Sequence, residues 1–107
     1  MEVRELYFKN PVQRQGSNLT VRRGAKWQSV VPGTPLVIKE TGTDRTCTVG
    51  TVIVTFPMVM AHIPQRLLDI EHDPECQNLD GLLSAMRQAY GDEVAAHELV
   101  TLVIYVV

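Results

Sequence analysis

The sequence predicts a single α+β domain, rich in strand, whose sheet curls on itself. Three observations carry this. Short runs rich in Thr, Val, Ile and Leu, punctuated by Gly and Pro, occupy residues 19–56. Helical periodicity follows over residues 64–90, after which the chain closes on an apolar run, Leu99 to Val107, broken only by Thr101. Strands, then helices, then a returning strand is the order of an α+β fold in which the last strand pairs with early ones.

Val3 to Phe8 reads as a strand or as the start of a short helix that Pro11 would stop. Leu19 to Arg23 alternates apolar and polar residues and ends at Gly24, a short strand. Residues 30–35 hold two prolines and a glycine, which is turn chemistry. Leu36 to Glu40 is a strand, and the Thr41-Gly42-Thr43-Asp44 turn joins it in a hairpin to a strand over 45–56. Gly50 inside that strand marks a bulge or bend, as when a sheet curls toward a barrel. Pro57 ends ladder donation, and Met58 to Ile63 reads as a further short strand.

Pro64 suits the first position of a helix that turns Leu67 and Leu68 inward. Pro74 breaks residues 71–75 into a loop. Asn78 is an N-cap for the clearest helix, where Leu79, Leu82, Leu83, Met86 and Tyr90 form one apolar face and Gly91 ends it. Leu99 to Val107 is apolar on both faces, so it is a central strand covered on two sides.

A chain of 107 residues, 45% hydrophobic and 21% charged, is one domain, residues 1–107, with a core of its own. The longest apolar run is too short to span a bilayer and the N-terminus lacks an apolar leader. A cytoplasmic protein outside the membrane, with Cys47 and Cys76 as isolated thiols, is the expectation. No metal-ligand spacing or cofactor motif is present, so neither a metal nor a cofactor is expected.

The net charge of −2 hides an asymmetry. From Leu6 to Lys39 there is no Asp or Glu, while Lys9, Arg14, Arg22, Arg23, Lys26 and Lys39 give +6. The stretch Gly16 to Trp27 concentrates these cations beside an aromatic, which points to an anion-binding face. On a strand, Thr20 and Arg22 share one face and Arg23 takes the other. A hydroxyl beside a guanidinium suits a phosphate or carboxylate; the alternative is a solvent-facing strand edge. Arg23 or Lys26 would assist, Ser17 lies beside them, and Trp27 would stack on a base or plug the core. Glu71-His72-Asp73-Pro74-Glu75 is either a solvated loop or the source of one catalytic carboxylate.

Five segments together resemble the ASCH domain of the PUA-like superfamily. They are the Gly-x-x-x-Thr-Val-Arg segment, the valine-rich strand near 49–56, the Leu-Leu-x-x-Glu-His helix end, the helix closing in Tyr90-Gly91, and the final Val-Thr-Leu-Val-Ile-Tyr strand. The resemblance implies a mixed pseudo-barrel of about five to six strands with two to three flanking helices. It also implies RNA, a nucleotide or a nucleoside as partner, held in a cleft beside the barrel. One branch of that family hydrolyses acetylcytidine with a Lys, a Thr and a Glu, in the pattern Gly-Arg-Lys-Thr-x-Thr-x-Arg. By that resemblance Thr20 and Glu75 would be catalytic, with Glu71 as the fallback, and Arg22 would bind ligand. The lysine position falls on Ser17 or Asn18, so the family lysine is missing.

Three functions follow as expectations. The first is an RNA- or nucleotide-binding domain, the second a hydrolase of a modified nucleoside or of RNA (an amidohydrolase or ribonuclease), the third a protein-interaction domain without ligand.

Overall fold

The computed structural model describes residues 2–107. Its core is one mixed sheet of five strands: β1 (Arg4–Phe8), β2 (Ser17–Arg23), β3 (Pro35–Glu40), β4 (Thr46–Val59) and β5 (Leu99–Val106), in spatial order β1-β3-β4-β5-β2. Only the β1–β3 pair is parallel. The fold is α+β and strand-rich, with the sheet curled into a half-barrel and two helices, α1 (Gln65–Leu68) and α2 (Leu79–Tyr90).

Strand alternation sorts the apolar residues onto two faces. On the inner face Leu6, Phe8, Leu36, Ile38, Val52, Val103 and Tyr105 form one buried cluster, plugged by Trp27 and Val30. On the outer face Leu19, Val21, Val100 and Leu102 pack against Leu68, Leu82 and Met86 of the helices. β5 feeds both clusters and lies between β4 and β2, as its two-faced apolar sequence predicts. Leu82 and Met86 are both almost fully buried, and burying such side chains stabilises by about 1.5–3 kcal/mol each. They dock α2 on the sheet.

The N-terminal segment, open between strand and helix in the sequence, is a strand. The β3–β4 hairpin forms with Thr51 opposite Pro35 and Val49 opposite Val37. Irregularities in the ladders lie at Ile38/Lys39 and Val52/Val54, not at Gly50. Gly50 serves another purpose: a Cβ there would sit 2.5 Å from the Val106 carbonyl oxygen, so it permits the close approach of β5. Nor does Pro57 end its strand. Pro57 pairs with Thr101 and β4 continues to Val59, in a stretch where β5 is its strand partner. A proline is tolerated on such a one-sided edge. Residues 58–63 are therefore the end of β4 and a 3₁₀ turn at Met60–His62, not a separate strand.

Asn78 caps α2 as its sequence suggests, accepting from the Gly81 amide at 2.8 Å. Asp73 caps the preceding turn, Pro74–Cys76, by accepting from the Glu75 amide at 3.0 Å. The stretch ahead of that turn lies along β2. Leu19 N–H donates to the Ile70 carbonyl at 2.7 Å, and His72 N–H donates to the Leu19 carbonyl at 3.0 Å. This short parallel bridge covers part of the free edge of β2 and brings Glu71 beside Thr20. Cys47 and Cys76 are free thiols. Among the described residues no helix is long and apolar enough to cross a membrane.

Candidate functional site

β1 and β2 are the two edges of the sheet, and the curl brings them toward each other. Arg22, on the inner face of β2, spans the gap. Its Nη2 donates to the Tyr7 carbonyl of β1 at 3.0 Å, and its Nε donates to Thr20 Oγ1 at 3.1 Å. The guanidinium carbon lies 4.7 Å from the centre of the Phe8 ring. The same Phe8 ring rests against His72, with centroids 4.1 Å apart.

A cavity of about 450 Å³ opens at this seam. β1 and its end contribute Tyr7, Phe8, Lys9 and Asn10, β2 contributes Thr20 and Arg22, the bridge and following turn contribute Glu71, His72, Asp73 and Glu75, and α2 contributes Tyr90. That size falls within the roughly 300–1,000 Å³ of small-molecule sites.

The charges in the cavity are not balanced in the ordinary way. Desolvation pulls the Arg22 guanidinium below its usual range, with the neighbouring Tyr90, Tyr105 and Glu71 opposing that pull. Arg22 has no ion-pair partner among the described residues. Its nearest acid does not serve as one. Glu71 is 2% exposed, and burial pushes its carboxyl up to about 8. Burial also pulls the His72 imidazole down.

Glu71 and His72 therefore face each other as neutral groups, though Glu71 Oε1 lies 3.2 Å from His72 Nε2, within ion-pair range. The other ring nitrogen fixes the tautomer. Nδ1 is 3.0 Å from the Val12 carbonyl, which can only accept, so Nδ1 carries the hydrogen. Nε2 is left as an acceptor facing the Glu71 carboxyl. Glu71 Oε1 also accepts from the Asp73 amide at 3.1 Å.

Of the residues singled out in the sequence, Thr20, Arg22, Glu71 and Glu75 line this one cavity. The others lie elsewhere. Ser17 is exposed at the start of β2, and Asn18 is fully buried, tying down residues 14–16 through its amide. Arg23 projects from the outer face and pairs with Glu93 at 3.1 Å and Glu98 at 2.8 Å. Lys26 is exposed on a 3₁₀ turn, and Trp27 is 7% exposed within the inner core.

The +6 segment is thus dispersed. Lys39 pairs with Glu5 at 3.4 Å, and Arg14 donates to the Asp69 carbonyl at 2.5 Å. Only Lys9 and Arg22 of the six reach the cavity. Sequence reasoning counted Lys9 among the cations but gave it no place. It also read Tyr90 only as part of the apolar helix face. Lys9 Nζ donates to the Gln88 carbonyl at 3.3 Å, clasping the last turn of α2 to the end of β1. The long sequence separation of the two left no local signal.

No family model matches the chain, and no curated protein or solved structure matches it.

Proposed function

We propose that the chain is a nucleotide- or RNA-binding domain of the ASCH type, PUA-like in architecture, with the seam between β1 and β2 as its binding site. One observation carries the reading: Arg22 presents a desolvated positive charge to the cavity, and none of the acids there, Glu71, Asp73 or Glu75, forms an ion pair with it. Buried charge is costly unless paired, so the site is completed by an anionic ligand. A phosphate fits, since the guanidinium fork still has donors beyond those given to Thr20 and Tyr7. Lys9 lies on the same cavity to assist. Asp73 and Glu75 there accept hydrogen bonds, which suits a ligand carrying hydroxyl or amino donors as well as phosphate.

The test is binding of nucleoside monophosphates and short single-stranded RNA by titration calorimetry at two salt concentrations. Affinity falls with salt if phosphate contacts dominate. Arg22→Ala removes charge-assisted hydrogen bonds worth about 1.5–3 kcal/mol and weakens binding roughly ten- to hundredfold. Salt-insensitive binding that Arg22→Ala leaves unchanged refutes the reading.

A second reading, hydrolysis of a modified nucleoside, is favoured by one observation. Lys9 shares the cavity with Thr20, Glu71 and Glu75, so a lysine stands there although Ser17 and Asn18 occupy the positions matching the family motif. In that reading Glu71 or Glu75 supplies the carboxyl, and RNA hydrolysis is its variant. A panel of acylated nucleosides assayed with wild type, Lys9→Ala, Glu71→Gln and Glu75→Gln decides it. Turnover that none of the three alters removes these groups from any mechanism.

A further inference from the structure

Tyr90 continues the apolar face of α2, yet it does not join the core that Leu82 and Met86 enter. It is 39% exposed and lines the cavity instead. Tyr7 is likewise 39% exposed and lines the same cavity, from the end of β1. The Tyr7 phenol, however, donates to the Glu5 carboxylate on the strand face opposite Leu6 and Phe8, so Tyr7 borders the cavity through the carbonyl that Arg22 holds, and the open phenol ring there is that of Tyr90. Exposed aromatic area beside a cation is costly to leave in water and is well suited to a flat ring.

The helix turn that carries Tyr90 is also held in place. Gly91, at φ 115°, ends the helix directly after it, and its amide donates to the Arg87 carbonyl at 2.9 Å. That positive φ is strained for any residue with a side chain, so the sharp helix end depends on glycine. The Lys9 clasp on Gln88 ties this last turn to β1. Tyr90 is close enough to Arg22 to support its positive charge, so ring and cation face the same space.

We propose that Tyr90 is the stacking platform for the ligand's heterocyclic ring, so that the site takes a nucleoside bearing phosphate rather than a bare sugar phosphate. This rests on the anionic grip of Arg22 proposed above and adds what that grip lacks, selection for a base. It also transfers to Tyr90 the stacking role that the sequence offered to Trp27, whose ring is consumed by the inner core. Stacking tolerates any base, because every base has a π face. The selectivity is therefore for the presence of a planar ring and not for its identity.

The experiment compares three probes on the full chain by calorimetry: adenosine 5′-monophosphate, uridine 5′-monophosphate and ribose 5-phosphate. Wild type binds both nucleotides more tightly than ribose 5-phosphate, by about fivefold to a hundredfold. Tyr90→Leu closes that gap and leaves ribose 5-phosphate affinity unchanged, while Tyr90→Phe keeps the gap. The emission of Trp27, remote from the substitution in the inner core, confirms that the variants are folded. Equal affinity of wild type for the three probes overturns the stacking role while the Arg22 grip stands. A gap that survives Tyr90→Leu overturns it too. Failure of wild type to bind any of the three removes the grip and the platform together.

Discussion

Replacing Glu71 with Gln should stabilise the protein, and by an amount that depends on pH. The carboxyl is buried beside Thr20 and Arg22 and keeps its proton up to about 8, against an ordinary value of 4.5. A raised pKa means that the folded state holds a proton the unfolded chain has lost. The stability contributed is complete below pH 4.5 and disappears as pH rises through about 8. Pinning that proton at pH 7, two and a half units above 4.5, at 1.36 kcal/mol per unit, costs about 3 kcal/mol. Gln is the neutral isostere: its amide oxygen can keep the bond from the Asp73 amide, and it has nothing to ionise. Urea unfolding of both proteins, followed by Trp27 emission, should give matched stabilities near pH 4. The variant should then gain with pH, reaching about 3 kcal/mol at pH 7 and levelling off above pH 8. His72 works in the opposite direction, because its lowered pKa removes stability as pH falls, but it is present in both proteins and cancels in the difference. A constant difference between about pH 5 and pH 8 would show that Glu71 titrates as an ordinary carboxylate despite its burial and refute the neutral-pair assignment.

Gly81→Ala should destabilise by about 1–3 kcal/mol or more in thermal or urea melts, since a Cβ there would lie 1.8 Å from the Glu75 carbonyl oxygen. It should also weaken ligand binding by pushing the 74–76 turn from its place at the cavity; unchanged stability would mean that α2 shifts freely. Asn78→Ala should cost about 1 kcal/mol by removing the acceptor of the Gly81 amide, again read from urea unfolding. Arg23→Ala and Lys26→Ala should leave nucleotide affinity unchanged, since both residues lie outside the cavity lining. A loss matching that of Arg22→Ala would restore the picture of one basic face.

The strands were legible wherever side-chain periodicity reports burial. β5 announced itself by being apolar on both faces, and α2 by a stripe between Asn78 and Gly91. Signals that depend on neighbours misled. Gly50 looked like a bulge because the sequence cannot show that the Val106 carbonyl approaches it. Pro57 looked like a terminus because the sequence cannot show that β4 has one strand partner there. The acid-free segment looked like one face because charge counts ignore geometry. Arg23 and Lys39 find their acids in Glu93, Glu98 and Glu5, outside that segment.

The site was legible to the extent that one strand writes it. Alternation placed Thr20 with Arg22 and set Arg23 apart, and the structure has that arrangement. The remaining walls come from the first ten residues, the 71–75 turn and the end of α2, and no local pattern joins these. What joins them is topology. An open sheet that curls leaves two edges facing each other, and backbone groups on those edges need partners. Here Arg22 satisfies the Tyr7 carbonyl across the seam, and the 70–72 bridge satisfies Leu19. A polar seam is thus the cost of not closing the barrel with one more strand. The same incomplete closure leaves Arg22 without an ion-pair partner among the described residues and opens the cavity at the place where the sheet stops.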